Sequence, residues 1–150
     1  MMTPLSHYMD PELIVFLSTE NREETLRELI LLASKAHKLN DAQAFYEAII
    51  EREKIVSTGI GMGVAIPHAK LLSYDQFFIA IGILRNPIDW HALDGAPVRL
   101  VFMIGGPDDK QTEYLQLLSS LTQAIRDEHR RKQILGSQDR EAVIELFKDL

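Results

Sequence analysis

The chain has no cysteine, a single tryptophan and no long apolar run among its 150 residues. Without thiols there is no disulfide framework, no thiolate metal site and no cysteine nucleophile. That absence is compatible with a reducing compartment. No apolar stretch approaches the roughly 20 residues that cross a bilayer as a helix. The opening Met1-Met2-Thr3-Pro4-Leu5-Ser6-His7 lacks the basic and apolar regions of a signal peptide. A bacterial-type cytoplasmic protein, not inserted in a membrane, is the default expectation. Positive charge is also in deficit, with 16 lysines and arginines against 22 acidic residues and a net charge of −6. Nucleic-acid binders usually present a basic face, so that class is not expected. Arg130-Arg131-Lys132 follows Asp127 and Glu128 and reads as a solvated helix face.

What is present is ordinary for a globular protein: 46% hydrophobic and 25% charged residues. The length suits one domain over residues 1–150 with one core. Residues 1–11 read as a loose lead-in, because Pro4 and Pro11 discourage a helix. From Arg22 to Leu39, Leu26, Leu29, Ile30, Ala33 and Ala36 recur at helical spacing. Asn21 is the N-cap candidate, with Glu24 as capping-box partner. Asp41 caps a second helix from Ala42 to about Arg52. The segment Ile55-Val56-Ser57-Thr58 is β-prone, and Val64-Ala65-Ile66 is an apolar run closed by Pro67. Phe77–Leu84 and Val98–Ile104 read as buried strands, with the segment from Arg85 to Pro97 a loop between them. Three helices follow. The first places Leu115, Leu118, Leu121, Thr122 and Ile125 on its core face, the second covers Glu128 to Leu135, and the third runs from Arg140 to Phe147 with Ser137 as cap. Helices, then strands, then helices predict an α/β domain whose sheet is covered on both sides.

The chemistry concentrates between Arg52 and His68. Gly59, Gly61 and Gly63 alternate there, a pattern that lets backbone N–H groups approach an anion but more often marks a turn or bulge. Ser57 and Thr58 add hydroxyl donors, and Arg52 adds a planar fork suited to phosphate oxygens. Pro67 restricts Ile66 and so defines how His68 is presented. A histidine with a pKa of roughly 6.5 is largely neutral and nucleophilic near neutrality. Phosphoryl transfer asks for in-line positioning and charge stabilisation, so neither a metal nor a cofactor is required. Residue type alone leaves the bland alternative open, since most lone histidines after a strand are structural. His7, His37, His91 and His129 share no metal-ligand spacing. His91, beside Trp90, is a candidate for the rim of the site, though packing against an aromatic is the commoner role. The glycines fit no dinucleotide fingerprint, and there is no phosphate loop of the nucleotide-hydrolase kind or nucleophile elbow.

The segment resembles the active-site signature of the IIA component of the bacterial phosphoenolpyruvate-dependent phosphotransferase system, in its fructose/mannitol class. Glu53, Ile60-Gly61 and Val64-Ala65-Ile66-Pro67-His68 match its elements, and the likeness runs from about Pro11 onwards. The resemblance implies a mixed sheet of about five strands flanked by helices. It also implies that His68 is the phosphorylated residue and Arg52 its companion, with Ser57 and Thr58 as phosphate-binding candidates. The implied donor is HPr or a nitrogen-branch relative, and the implied acceptor is a IIB component. A nitrogen-branch regulator, whose phosphorylation state controls partner binding, is the alternative; a member that has lost phosphorylation is a third reading, opposed by the intact Arg52, Ser57, Thr58 and His68. One departure stands out: relatives commonly carry a second histidine where this chain has Tyr114, a weaker phosphate-binding candidate. A phenol can donate a hydrogen bond but is no cation near neutrality.

Overall fold

A computed structural model describes residues 3–148 as one mixed sheet between two layers of helices. The strands are β1 (Ile14–Leu17), β2 (Gly59–Gly61), β3 (Val64–Ala65), β4 (His68–Lys70), β5 (Phe78–Ile88) and β6 (Val98–Gly106). Their spatial order is β1-β5-β6-β3-β2, with β4 also paired to β6. β5 and β6 are antiparallel, while β1 lies parallel to β5, and β3 and β4 lie parallel to β6. The sheet has six strands where about five were expected. Ile66-Pro67 splits one run along β6 into β3 and β4, since Pro67 has no N–H for the ladder. His68 opens the second half.

Both faces of β5 and β6 are covered, which is why their sequences are continuously apolar. Ile79, Ile81, Leu100, Phe102 and Ile104 face helices α3 (Gln111–Arg126), α4 (Glu128–Gly136) and α5 (Arg140–Glu145). Phe78, Ala80, Leu84, Val101 and Met103 face α1 (Arg22–Lys35) and α2 (Ala42–Ile55). The N-caps of α1 and α2 are as expected: Asn21 accepts from the Glu24 amide at 2.8 Å and Asp41 from the Ala44 amide at 3.1 Å. Glu24 reaches back to the amide of Glu20, at 3.3 Å, rather than to that of Asn21. α1 stops at Lys35, short of Leu39, because His37 turns left-handed (φ 59°). The Lys38 amide then bonds the Ala33 carbonyl and the His37 amide that of Ser34. That pair of bonds satisfies carbonyls the helix end would orphan.

Several boundaries differ from expectation. α2 continues to Ile55, so the β-prone segment is a helix end followed by a loop. β5 runs on through Pro87 to Ile88, across a register shift that tolerates a proline. α3 buries Tyr114, Leu117, Leu121, Ala124 and Ile125, leaving Leu115 52% exposed. The expected stripe holds at Leu121 and Ile125, with Leu118 partly buried, and misses at its start, where Tyr114 rather than Leu115 turns inward to pack against Phe77. α5 is capped by Asp139 rather than Ser137 and ends at Glu145.

The expected loose lead-in is the largest correction. Met1 and Met2 lie outside the described residues, but Leu5, Tyr8 and Met9 are buried in the core beneath α3. Pro4 and Pro11 stand at the starts of 3-10 turns over Leu5–Tyr8 and Pro11–Leu13, where a missing N–H costs nothing. Tyr8 donates to Glu113 at 2.7 Å, tying this segment to the first turn of α3. Leu5→Ala is therefore expected to lower unfolding free energy by about 2–4 kcal/mol in a urea titration. A change near zero would return the segment to the status of an appendage.

Candidate active site

The site is assembled where α2 ends, where the β2–β3 hairpin turns and where β4 begins. Arg52 and Glu53 are neighbours in the last turn of α2, so their side chains diverge. Glu53 points inward and is buried. Its carboxylate accepts from the Thr58 amide at 3.2 Å, the Trp90 indole N–H at 3.3 Å and Arg22 at 3.4 Å. It also accepts the hydroxyl proton of Thr58. A buried carboxylate is tolerable only with such a full set of donors. The backbone carbonyl of Trp90 accepts from the Ser57 hydroxyl at 2.6 Å and from Arg22 at 3.3 Å. Trp90 is fully buried, so the loop that holds it is clamped to the loop leaving α2.

These bonds change the reading of Ser57 and Thr58. Both border the site, but their hydroxyl protons are committed to Trp90 and Glu53 respectively. The Ser57 oxygen also accepts from the Gly59 amide at 3.0 Å. They shape the loop, and neither holds a spare O–H for an anion. The alternating glycines likewise build a hairpin: Gly61, Met62 and Gly63 all have positive φ. Gly59 serves close approach, since a β-carbon there would lie 2.7 Å from that of Ala92.

His68, half-buried, faces a pocket of about 470 Å³. Arg52, Ser57, Thr58, Thr122 and Arg126 contribute its polar lining, and Val56, Ile60, Met62 and Leu93 its apolar lining. Imidazole Nδ1 lies 3.1 Å from the Ile66 carbonyl oxygen. A carbonyl can only accept, so Nδ1 carries the proton and Nε2 holds the free lone pair. Burial lowers the His68 pKa from its usual 6.5, and the positive charges of Arg52 and Lys70 push in the same direction. The Ile66 carbonyl and Glu53 oppose that shift. Arg52 donates to the Val56 carbonyl at 2.8 Å and pairs with no carboxylate among the described residues. Its remaining N–H groups are open to an anion.

Tyr114 sits in the first turn of α3 with its ring centre 5.8 Å from that of His68. Burial raises its pKa above 10.0, against a smaller opposing effect of Arg52, so the phenol keeps its proton. Lys70, two residues along β4, lies with Nζ 4.1 Å above the Tyr114 ring. Neither Lys70 nor the buried role of Glu53 was foreseen from the residues. Lys70 gave no signal beyond its spacing from His68, whereas Glu53 stood in the signature without a stated function. His91 lies elsewhere: it is exposed, pairs with Asp89 at 3.7 Å and rims a separate hollow beside the start of α1. Among the described residues no helix is long and apolar enough to cross a membrane, and no group of acidic residues and histidines is arranged to hold a metal.

Residues 7–150 match the family model for the phosphoenolpyruvate-dependent sugar phosphotransferase system, EIIA 2. The chain belongs to that family. This EIIA chain is 40% identical over 131 residues to the PTS system fructose-specific EIIABC component of Bacillus subtilis, covering 87% of itself but only 21% of that protein. It is 33% identical to a nitrogen regulatory protein of Bradyrhizobium diazoefficiens, over 93% of this chain and 92% of the other. The nitrogen regulatory protein IIA-Ntr of Neisseria meningitidis superposes with a TM-score of 0.89 at 26% identity, covering 95% and 98% of the two chains.

Two measurements follow from this geometry. Thr58→Val removes the hydroxyl that Glu53 accepts, so stability followed by Trp90 fluorescence should fall by about 1–3 kcal/mol. An unchanged unfolding midpoint would mean that the clamp contributes nothing. In an NMR titration the His68 ring should protonate with a midpoint below 6.5, keeping Nε2 unprotonated at pH values where an ordinary histidine is half charged. A midpoint at or above 6.5 contradicts the described burial.

Proposed function

We propose that the EIIA chain is a phosphohistidine carrier: Nε2 of His68 takes a phosphoryl group from HPr or a nitrogen-branch relative and passes it to a IIB component. The observation that carries this reading is the Nδ1–H bond to the Ile66 carbonyl, which leaves Nε2 as the nucleophilic lone pair beside an unneutralised guanidinium. In the transfer, Nε2 bonds to phosphorus as the donor's nitrogen–phosphorus bond breaks, and that electron pair returns to the donor nitrogen. The proton on Nδ1 stays where it is, so the step needs no acid or base. Arg52 stabilises the negative oxygens during transfer, and the Tyr114 phenol donates to one of them. Ser57 and Thr58 act through the loop they hold. Support for a IIB acceptor comes from the Bacillus relative, whose name joins EIIA to B and C parts.

A second reading rests on the likeness to nitrogen regulatory proteins. Under it the same phosphorylation is a switch: a dianion placed in an apolar-rimmed pocket changes which partner docks there.

Incubation with phosphoenolpyruvate, enzyme I and HPr, followed by intact-mass measurement, tests the carrier. One acid-labile phosphoryl adduct is expected, and it should be absent in His68→Ala. Arg52→Gln should retain the adduct but form it about 100-fold more slowly. Tyr114→His should preserve phosphorylation of His68; complete loss would show that the phenol has a different role. Adduct persisting in His68→Ala sinks the reading.

A further inference from the structure

Tyr114 stands beside His68 as a neutral phenol and brings no charge to the site. We propose that Lys70, held beside Tyr114 in β4, is a phosphoryl-binding cation that joins Arg52 at this site. This assignment rests on the carrier reading of His68.

Backbone placement is the first support. His68 and Lys70 are two residues apart in β4, paired in register with Ile104 and Gly106, so both side chains leave the same face of the strand. Across that face stands one aromatic ring. Tyr114 has its ring centre 5.8 Å from His68 and 4.1 Å from the Lys70 ammonium. One side chain of α3 thus touches both the nucleophile and the cation.

The second support is what holds the ammonium. Lys54, Lys132 and Lys148 each lie against a glutamate, at 3.0, 3.4 and 2.8 Å, while Lys110 meets the backbone carbonyl of Asp75, at 3.0 Å. Lys70 instead donates to the neutral Gln111 side-chain oxygen at 2.9 Å and rests on the π face of Tyr114. No carboxylate among the described residues pairs with it. In a chain of net charge −6, a half-buried lysine held only by neutral groups keeps its whole charge for an incoming anion. Cation–π and amide contacts are weak beside a charge-assisted bond to a dianion. Its flexible stem lets the ammonium leave Gln111 for a phosphoryl oxygen.

The third support is that the Lys70 charge is already felt at the reacting ring, where it and Arg52 both disfavour protonation of His68. When the Nε2–phosphorus bond forms and the donor bond breaks, the phosphoryl oxygens keep their negative charge. Arg52 and Lys70 share it, while the Tyr114 phenol offers a neutral hydrogen bond.

The test compares wild type, Lys70→Met, Lys70→Arg and His68→Ala, each phosphorylated through enzyme I and HPr. Lys70→Met should slow adduct formation by about tenfold, and Lys70→Arg should recover most of the rate. In 31P NMR titrations of the phosphorylated proteins, the phosphohistidine should become monoanionic at a higher pH in Lys70→Met than in wild type. Packing alone would not move that midpoint, and Lys70→Arg should restore it. Wild-type rate and wild-type 31P midpoint in Lys70→Met overturn this assignment alone. Adduct surviving in His68→Ala overturns the carrier reading and this assignment with it.

Discussion

The site depends on one buried carboxylate. Glu53 gathers Thr58, Trp90 and Arg22 around a single charge, joining the end of α2, the loop after it, the loop before β6 and the start of α1. An unpaired carboxylate in that position would cost several kcal/mol, so the donors have strong reason to stay together. Because Arg52 is the next residue back along the helix, fixing Glu53 also fixes where the guanidinium emerges. The same clamp sets Thr58, whose carbonyl accepts from the Ile66 amide at 2.9 Å. The Ile66 carbonyl in turn orients His68. A chain of short contacts therefore runs from the Glu53 carboxylate to the His68 ring.

That chain explains why hydroxyl-bearing residues near the nucleophile are poor guides to anion contacts. Ser57 and Thr58 stand where donors to phosphate would be sought, yet their protons are committed internally. Buried hydroxyls seek partners within the protein, and in this loop a carboxylate and a carbonyl are nearer than any ligand. Arg52 bonds a carbonyl, Lys70 an amide and a ring, and Arg126 lines the same pocket as Arg52 and His68.

Much of the fold was legible from residues whose effect is local. Asn21 and Asp41 announce their helices by capping them, and the apolar runs of β5 and β6 announce burial on both faces. Pro67 marks the break that presents His68. Less legible was whatever depends on distant partners. The buried Leu5–Met9 segment carries two prolines nearby and shows its role only against α3. The stripe of α3 could be started at Tyr114 or Leu115, and contact with Phe77 lies far outside any sequence window. The same holds for the site: the signature locates His68 and Arg52, but Glu53 meets Trp90 and Arg22 only through the fold. Which ring nitrogen carries the proton depends on a carbonyl two residues away whose direction follows from the strand break.

The arrangement reconciles two demands that ordinarily conflict. Under the proposed carrier role, a phosphoryl dianion wants positive charge close by, whereas an imidazole that attacks phosphorus is useless once protonated. Cations near a half-buried histidine would serve both at once, because the field of Arg52 and Lys70 also disfavours a proton on the ring. Burial adds to the effect by disfavouring imidazolium, and the Ile66 carbonyl limits how far the shift goes. Burial keeps the Tyr114 phenol neutral, so it cannot trade protons with His68 across physiological pH. Its surface also seats Lys70. The phenol beside His68 thus adds no charge of its own, and the cations felt at the ring come from α2 and β4.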